Sequence, residues 1–331
     1  RKIVIISSDL DGFWLHGANH GIGDFTMKPT SERAGVQRFA GLVSAFVPQR
    51  RIVRDLHGLP ESLARVGSLE LKFAVTRKEI RKAQRLRYRV FFEQGSAQAD
   101  RTTQLRRRDI CPFDIVCDHL IVVDHAAKSH YGRIKPKVVG TYRLLRQNPR
   151  KSDGGFYSAQ EFDIAPLLIR HVEKRFLELG RSCVLPEYRA RRTLELLWRG
   201  IWMYVSHHNI DVMIGCASFE TVDPAKIAAP LSLLHYKAGV PAEWAVRALD
   251  DRRVDMALLA DGAVSPRRAL AVLPTLIKGY LRLGAMIGDG AVIDHQFGTT
   301  DVLIVLPVAN IDERYIDHFG GGHPPANEIA A

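Results

Sequence analysis

The stretch LELGRSCVLPEYRARRTLELLWRGI, Leu177 to Ile201, decides how the rest of the chain is read. Its first part, extended to Phe176–Leu185, is a largely apolar run with the length of a buried strand. Pro186-Glu187-Tyr188 then reads as a turn, Arg189, Arg191 and Arg192 crowd together, and a helix is expected from near Thr193. Leu194, Leu197, Trp198, Ile201 and Val205 fall on one stripe of that helix, so it packs on a sheet. A strand feeding a basic turn and a helix N-terminus gathers free backbone N–H groups, the positive end of a helix dipole and guanidinium donors. The segment therefore reads as an anion site, with phosphate as the first ligand considered.

Length and composition set the limits around it. With 331 residues, 46% of them hydrophobic, the chain can bury a full core. A net charge of +11 favours an acidic partner: nucleic acid, an anionic membrane surface or an acidic carrier protein. No apolar run reaches the length of a membrane span and no signal-peptide core opens the sequence, so the expectation is a cytoplasmic protein with peripheral contact at the inner membrane. Cys111, Cys117, Cys183 and Cys216 have no CxxC spacing and are expected to be reduced core residues.

Working outward toward the N-terminus, residues 1–67 carry scattered glycines without a sustained period and are read as a poorly ordered extension. The histidines of His16 to Gly23 lack companions at ligand spacing, so no metal site is expected. Leu69, Leu71, Phe73 and Val75 alternate as in a strand, Thr76 to Glu79 fits a capping box, and Ile80, Ala83, Leu86 and Val90 form the stripe of a helix. Its outer face carries Arg77, Lys78, Arg81, Lys82, Arg85 and Arg89, like charges that repel unless an acidic partner meets them. Phe92 to Pro112 reads as a mobile loop.

Further strands are expected at Asp118–Asp124, Val138–Arg146 and Val212–Phe219, with Gly155–Ile164 as a loop over a site. A short helix at Leu231–Ala238, a strand at Val254–Leu259, a helix from Pro266 to about Leu283, a Gly288–Gly290 turn and a strand at Val302–Pro307 follow. The reading is one α/β domain of the α+β kind over residues 68–319, a mixed sheet with helices on its faces, and a flexible tail at 320–331.

Absent motifs narrow the chemistry. The chain has no GxxxxGK[ST], strand-linked GxGxxG, HExxH or GxSxG. What it does have is RLRYRVFFEQG (Arg85–Gly95), FDIVCDHLIVVD (Phe113–Asp124), VVGTYRLL (Val138–Leu145), FYSAQEFDI (Phe156–Ile164), ELGRSCVLPEYR (Glu178–Arg189), LLWRGI (Leu196–Ile201), IGCASF (Ile214–Phe219) and LIKGYLRLGA (Leu276–Ala285), in that order. In these segments the chain resembles the GNAT superfamily of acyltransferases, and more closely the hemolysin-like ornithine-acyl-(acyl carrier protein) N-acyltransferases.

The resemblance implies a mostly antiparallel mixed sheet with helices on both faces. It also implies transfer of a 3-hydroxylated fatty acyl chain from acyl carrier protein to the α-amine of L-ornithine, giving lyso-ornithine lipid. One departure is informative: where acetyl-CoA enzymes resemble one another in a glycine-containing pyrophosphate loop, this chain has Arg189 to Thr193 without glycine. Val184, Arg189, Arg191, Arg192 and Thr193 are then expected to hold the single phosphate of an acyl-phosphopantetheine arm, with no other cofactor.

Amide formation needs a proton acceptor, an oxyanion contact and alignment. Glu178 is the candidate general base, against the alternative of a strand glutamate paired with Arg143 or Arg181; the backbone around Arg181, Ser182 and Val184 is the implied oxyanion contact. Asp114, Asp118 with its neighbour His119, Glu161 and Asp163 are candidates to hold the acceptor's cationic side chain, and Arg143 or Arg181 its carboxylate. Cys183 has no histidine partner, which disfavours an acyl-enzyme. Phe91, Phe92, Phe156 and Tyr157 suit either an acyl channel or the core. The competing readings are an acyl-homoserine-lactone synthase, another amino-acid N-acyltransferase, and a non-catalytic basic surface protein. Nucleic acid is disfavoured because the basic patches lack interleaved aromatics.

Overall fold

A computed structural model of the chain describes residues 3–4, 56–129 and 131–315. The first half comprises β1 (Ile3–Val4), β2 (Ser62–Val66), β3 (Leu69–Phe73), α1 (Arg77–Tyr88), α2 (Arg101–Arg106), β4 (Asp118–Asp124), β5 (Lys137–Arg146), β6 (Phe162–Asp163) and α3 (Ala165–Arg170). The second comprises β7 (Phe176–Val184), α4 (Arg191–His207), β8 (Val212–Phe219), α5 (Ala228–Ala238), β9 (Arg247–Ala248), β10 (Arg253–Val254), α6 (Pro266–Val272), α7 (Thr275–Arg282), β11 (Met286–Ile287), β12 (Ala291–Asp294) and β13 (Thr299–Pro307).

The main sheet runs β10-β12-β13-β8-β7-β5-β4-β3-β2. Its pairs are antiparallel except β7 with β8 and β1 with β7, which are parallel. The α/β class and the mixed, mostly antiparallel sheet are as expected. Helix α1 starts at the expected capping box, in which Thr76 and Glu79 satisfy each other's backbone N–H groups. It lies on the sheet face that carries Arg143. Helix α4 lies on the other, where Gly200 brings its backbone so close that an added Cβ would stand 2.7 Å from the Leu120 side chain. Tyr142, on that second face of β5, meets Tyr280 of α7, hydroxyl to hydroxyl at 2.9 Å.

Two irregularities of β7 shape the molecule. Pairing with β8 extends only from Phe176 opposite Val212 to Glu178 opposite Ile214. Gly215 sits where an added Cβ would come within 2.3 Å of the Leu179 carbonyl oxygen, so only glycine lets the strands touch there. Beyond that point β7 stays with β5 and β8 with β13, and the sheet opens. The backbone of Ile3 and Val4 occupies this opening, paired parallel with Ser182 and Cys183. The second irregularity is a bulge. Thr141 faces Cys183 and Arg143 faces Gly180, so Arg181 and Ser182 together oppose Tyr142, and Arg181 takes a left-handed φ of 51°.

Several expectations need correction. The boundary at residue 68 is too late, because Ser62–Val66 already pairs with β3; the rest of the 1–67 extension, like the 320–331 tail, lies almost wholly outside the described residues. Helix α4 begins at Arg191, before Thr193. The segment read as a mobile loop holds α2, capped by the Asp100 side chain on the Thr103 N–H, and a buried Asp109. The strand expected to reach Leu259 stops at Val254, because the Asp255 carboxylate turns the chain by accepting the Ala257 N–H. The helix expected from Pro266 to Leu283 is two helices, broken where Pro274 forces Leu273 into an extended conformation.

Candidate active site

Arg87 is the centre of a buried ionic network on the α1 face of the sheet. Its Nε lies 2.8 Å from Asp109 Oδ2 and its Nη2 lies 2.7 Å from Asp114 Oδ2. Arg181 adds a contact of 3.3 Å to Asp109, Arg143 one of 3.6 Å to Asp114, and Gln84 donates to Asp114 at 2.9 Å. All of these side chains are buried. Burial alone would push the Asp114 carboxyl up, but the charge and hydrogen bond of Arg87, helped by Arg143, hold it well below the usual carboxylate range. His119 donates from Nε2 to the Asp114 carbonyl at 3.1 Å, and burial brings its imidazole down to about 4, so it is neutral near pH 7.

The network thus has three guanidiniums against two carboxylates. Arg181 Nη1 is buried without a hydrogen-bond partner among the described residues. A surplus cation with an unused donor is the electrostatic complement of an anion. Aromatic rings shield it: the guanidinium carbon of Arg181 lies 5.0 Å from the Tyr157 ring centre and 4.6 Å from that of Phe297, and that of Arg143 lies 5.4 Å from Tyr157.

Glu178 has backbone partners that the sequence did not reveal. Its two carboxylate oxygens accept the backbone N–H groups of Tyr157 and Ser158, at 2.7 and 2.8 Å. Neither Arg143 nor Arg181 forms an ion pair with it among the described residues. Glu178 therefore fastens the turn that covers the site, a turn that carries Tyr157 over the arginines and, four residues on, Glu161. Glu161, Asp294 and Asp301 bring carboxylate oxygens to within 4.8 Å of one another, on the β8–β13–β12 side of the opening.

The remaining predicted residues divide. Asp114, His119, Arg143, Arg181 and Glu161 are brought together on one sheet face. Asp118 is not: it points to the α4 face, where the Tyr204 hydroxyl donates to it at 2.6 Å, because its strand alternation is opposite to that of His119. Asp163 belongs to the small β6–β9 pairing, opposite Arg247. Ser182 and Val184 are buried on β7 where it has left β8, with Ser182 opposite Ile3. Thr193 is buried in the first turn of α4, Arg189 donates back to the Val184 carbonyl at 3.2 Å, Arg191 pairs with Glu195 at 2.6 Å, and Arg192 is exposed. The guanidiniums of Arg189 and Arg191 are thus engaged locally rather than gathered around one point. Cys183 and Cys117 are buried thiols pushed up to about 12 by desolvation, far from nucleophilic thiolates at neutral pH. Phe91 and Phe156 are core residues, while Phe92 packs against Phe297.

A second basic feature lies at the carboxyl end of β7. Lys82, Arg85, Arg89, Lys128, Lys135 and Lys137 line a cleft floored by Leu86, Val138 and Leu185. The N-terminus of α4 is nearby in sequence, uncapped by any side chain and without an acidic residue in its first turn. Among the described residues, no helix is long and apolar enough to cross a membrane.

Known proteins resemble this chain over most of its length. A family model described as an acetyltransferase (GNAT) domain matches residues 86–199. The chain is 51% identical over 274 residues to the L-ornithine N(alpha)-acyltransferase of Agrobacterium fabrum, covering 83% of this chain and 92% of that protein. It is 52% identical over 258 residues to the enzyme of that name from Rhizobium meliloti (78% and 86% covered), and 38% identical over 252 residues to that from Rhodobacter capsulatus (76% and 95% covered). Among solved structures, the N-acyl amino acid synthase FeeM from uncultured soil microbes aligns at a TM-score of 0.40 with 12% identity, covering 73% of this chain and 91% of that one.

Proposed function

This chain belongs to the family of L-ornithine N(alpha)-acyltransferases, and from that premise we propose that it is an acyltransferase joining a fatty acyl group to the α-amine of L-ornithine. The observation that carries the reading is Arg181. Its buried guanidinium keeps one donor, Nη1, without a partner, at a bulge on the strand edge where the sheet opens. An amino acid presents a carboxylate, and a bidentate-capable guanidinium is the side chain best suited to take it.

In the reaction, the neutral amine attacks the thioester carbonyl, the C–N bond forms, the C–S bond breaks, and the thiol leaves with a proton. Aligning amine and thioester accounts for much of the rate such a site supplies. Tyr157, held by Glu178 against Arg143 and Arg181, closes the water side of the acceptor position. The open edge of β7 from Ser182 onward takes an extended amide-bearing segment, as its pairing with Ile3 and Val4 illustrates. The pantetheine arm of the donor, which carries two amides, lies along the same edge.

Acyl carrier protein is the donor we favour. The cleft of Lys82, Arg85, Arg89, Lys128, Lys135 and Lys137 supports it, because an acidic carrier meets a basic rim there. The uncapped start of α4, with Arg191 and Arg192 where the helix dipole disfavours cations, also supports an anion in that region. The product is then lyso-ornithine lipid, whose release places the enzyme in transient contact with an anionic membrane.

The test is mass spectrometry of products from purified protein, L-ornithine, and matched acyl donors on carrier protein, on CoA and on pantetheine lacking phosphate. N-acylornithine is expected, formed fastest from the carrier-linked donor. A lactone product, or no acylornithine from any donor, would overturn the reading; equal rates from all three donors would remove the carrier protein.

A further inference from the structure

On the reading above, the acceptor carries a second amine, and the acid cluster beside the opening has no other part in the reaction. We propose that Glu161, Asp294 and Asp301 form the subsite for the side-chain ammonium of the acceptor, and so select a basic amino acid over a neutral one. Glu161 is almost fully buried and Asp301 wholly so, while Asp294 is partly accessible. Three carboxylates with oxygens within 4.8 Å of one another repel strongly in such surroundings, and a cation among them converts that repulsion into attraction.

A second observation points the same way. Asp301 stands directly opposite Ser218, and Asp294 directly opposite Thr299, which is two residues from Asp301 on the same face of β13. The hydroxyls of Ser218 and Thr299 are therefore carried on the face that bears the carboxylates. Both are more than nine-tenths buried, and neither has a hydrogen-bond partner among the described residues. Buried hydroxyls without partners are rare unless a ligand or water supplies them. An ammonium offers three N–H donors, enough for carboxylate and hydroxyl oxygens together.

The position of the cluster fits an amino acid rather than an isolated cation. Asp294 accepts the backbone N–H of Phe297 at 3.0 Å, and Phe297 stacks on Arg181. Glu161 accepts from the Cys216 thiol at 3.4 Å and belongs to the same turn as Tyr157, which also stacks on Arg181. The anion-seeking guanidinium and the cation-seeking carboxylates are thus tied together through two short turns. A ligand with a carboxylate at one end and an ammonium at the other spans them.

The experiment compares L-ornithine with L-norvaline, which has the same carbon chain without the terminal amine, using the full chain and its preferred thioester donor. The wild-type protein is expected to favour ornithine in kcat/KM by about a hundredfold or more. Asp294→Asn and Asp301→Asn are expected to cut that preference about tenfold or more, through a raised KM for ornithine and with the KM for donor unchanged. Thermal melting establishes that each variant is folded; if Asp301→Asn is not, the partly accessible Asp294 decides alone. An unchanged preference in folded Asp294→Asn overturns the proposal while leaving ornithine acylation intact. Activity abolished by EDTA and restored by Mg²⁺ or Ca²⁺ also overturns it, assigning the cluster to a metal. Wild-type protein that acylates neither amino acid sinks the underlying reading instead, and this subsite with it.

Discussion

Glu178 holds two backbone N–H groups of the turn over the site, and one substitution separates that structural part from a part as base. Glu178→Gln exchanges one of its acceptor oxygens for an NH₂ that faces a backbone N–H, losing one bond and leaving a buried donor unsatisfied, at a cost of about 1–3 kcal/mol. The expected result is a lowered melting temperature and a lowered kcat with the shape of the pH–rate profile retained; disappearance of a limb of that profile would return Glu178 to the role of base. Arg87 gives a sharper case. Arg87→Met leaves Asp109 and Asp114 facing each other in the core, and a loss of about 3–5 kcal/mol in urea unfolding is expected. The odd placement of Arg87 was readable, since it follows Ile80 and Ala83 at helical spacing on the buried stripe. Its partner Asp109 was not, because nothing local distinguishes a loop aspartate that folds back onto a helix from one in solvent.

At the scale of elements, the divergence of β7 from β8 depends on a close backbone approach at Gly215. Gly215→Ala places a methyl group against the Leu179 carbonyl, and the strands must separate one residue early. A drop in stability together with a raised KM for donor is expected, measured by thermal melting and steady-state kinetics. Strand and helix positions with a strong period were legible: β4, β5, β7, β8 and the capped start of α1 follow directly from alternation and from the Thr76–Glu79 pair. Short strands such as β12 were not, because four residues carry too little pattern to separate them from a turn. Asp301 shows what lay between these cases. Its strand was expected only from Val302, so the inward alternation of Thr299, Asp301, Leu303 and Val305 was cut at its most informative end.

For the whole molecule, the buried His119 sets the acid limit. Its folded-state pKa, about 4, lies below the ordinary 6.5, so the unfolded chain binds the proton more readily. Stability is therefore full above the ordinary value and falls as pH drops from 6.5 toward about 4, by about 3 kcal/mol over that window. Asp114, also depressed, adds a further loss at still lower pH as its carboxylate is protonated in the unfolded chain. Melting temperatures measured between pH 7 and pH 4 should fall accordingly, and His119→Gln, which keeps an amide donor for the Asp114 carbonyl, should flatten the upper part of the slope.

Ile3 and Val4, finally, pair where the donor arm is proposed to lie, which would make the protein a competitor for its own cleft. The row of amides from Ser182 onward has a resident, so on the proposed placement of the donor an incoming acyl arm evicts it, and the apparent affinity for donor is the intrinsic one discounted by the fraction of molecules in which the resident is in place. Proline at whichever of positions 3 and 4 turns its N–H toward β7 removes a backbone donor from that short ladder and should lower the donor KM severalfold with kcat unchanged. An unaltered donor KM in that variant would mean that arm and resident never contest the same seat.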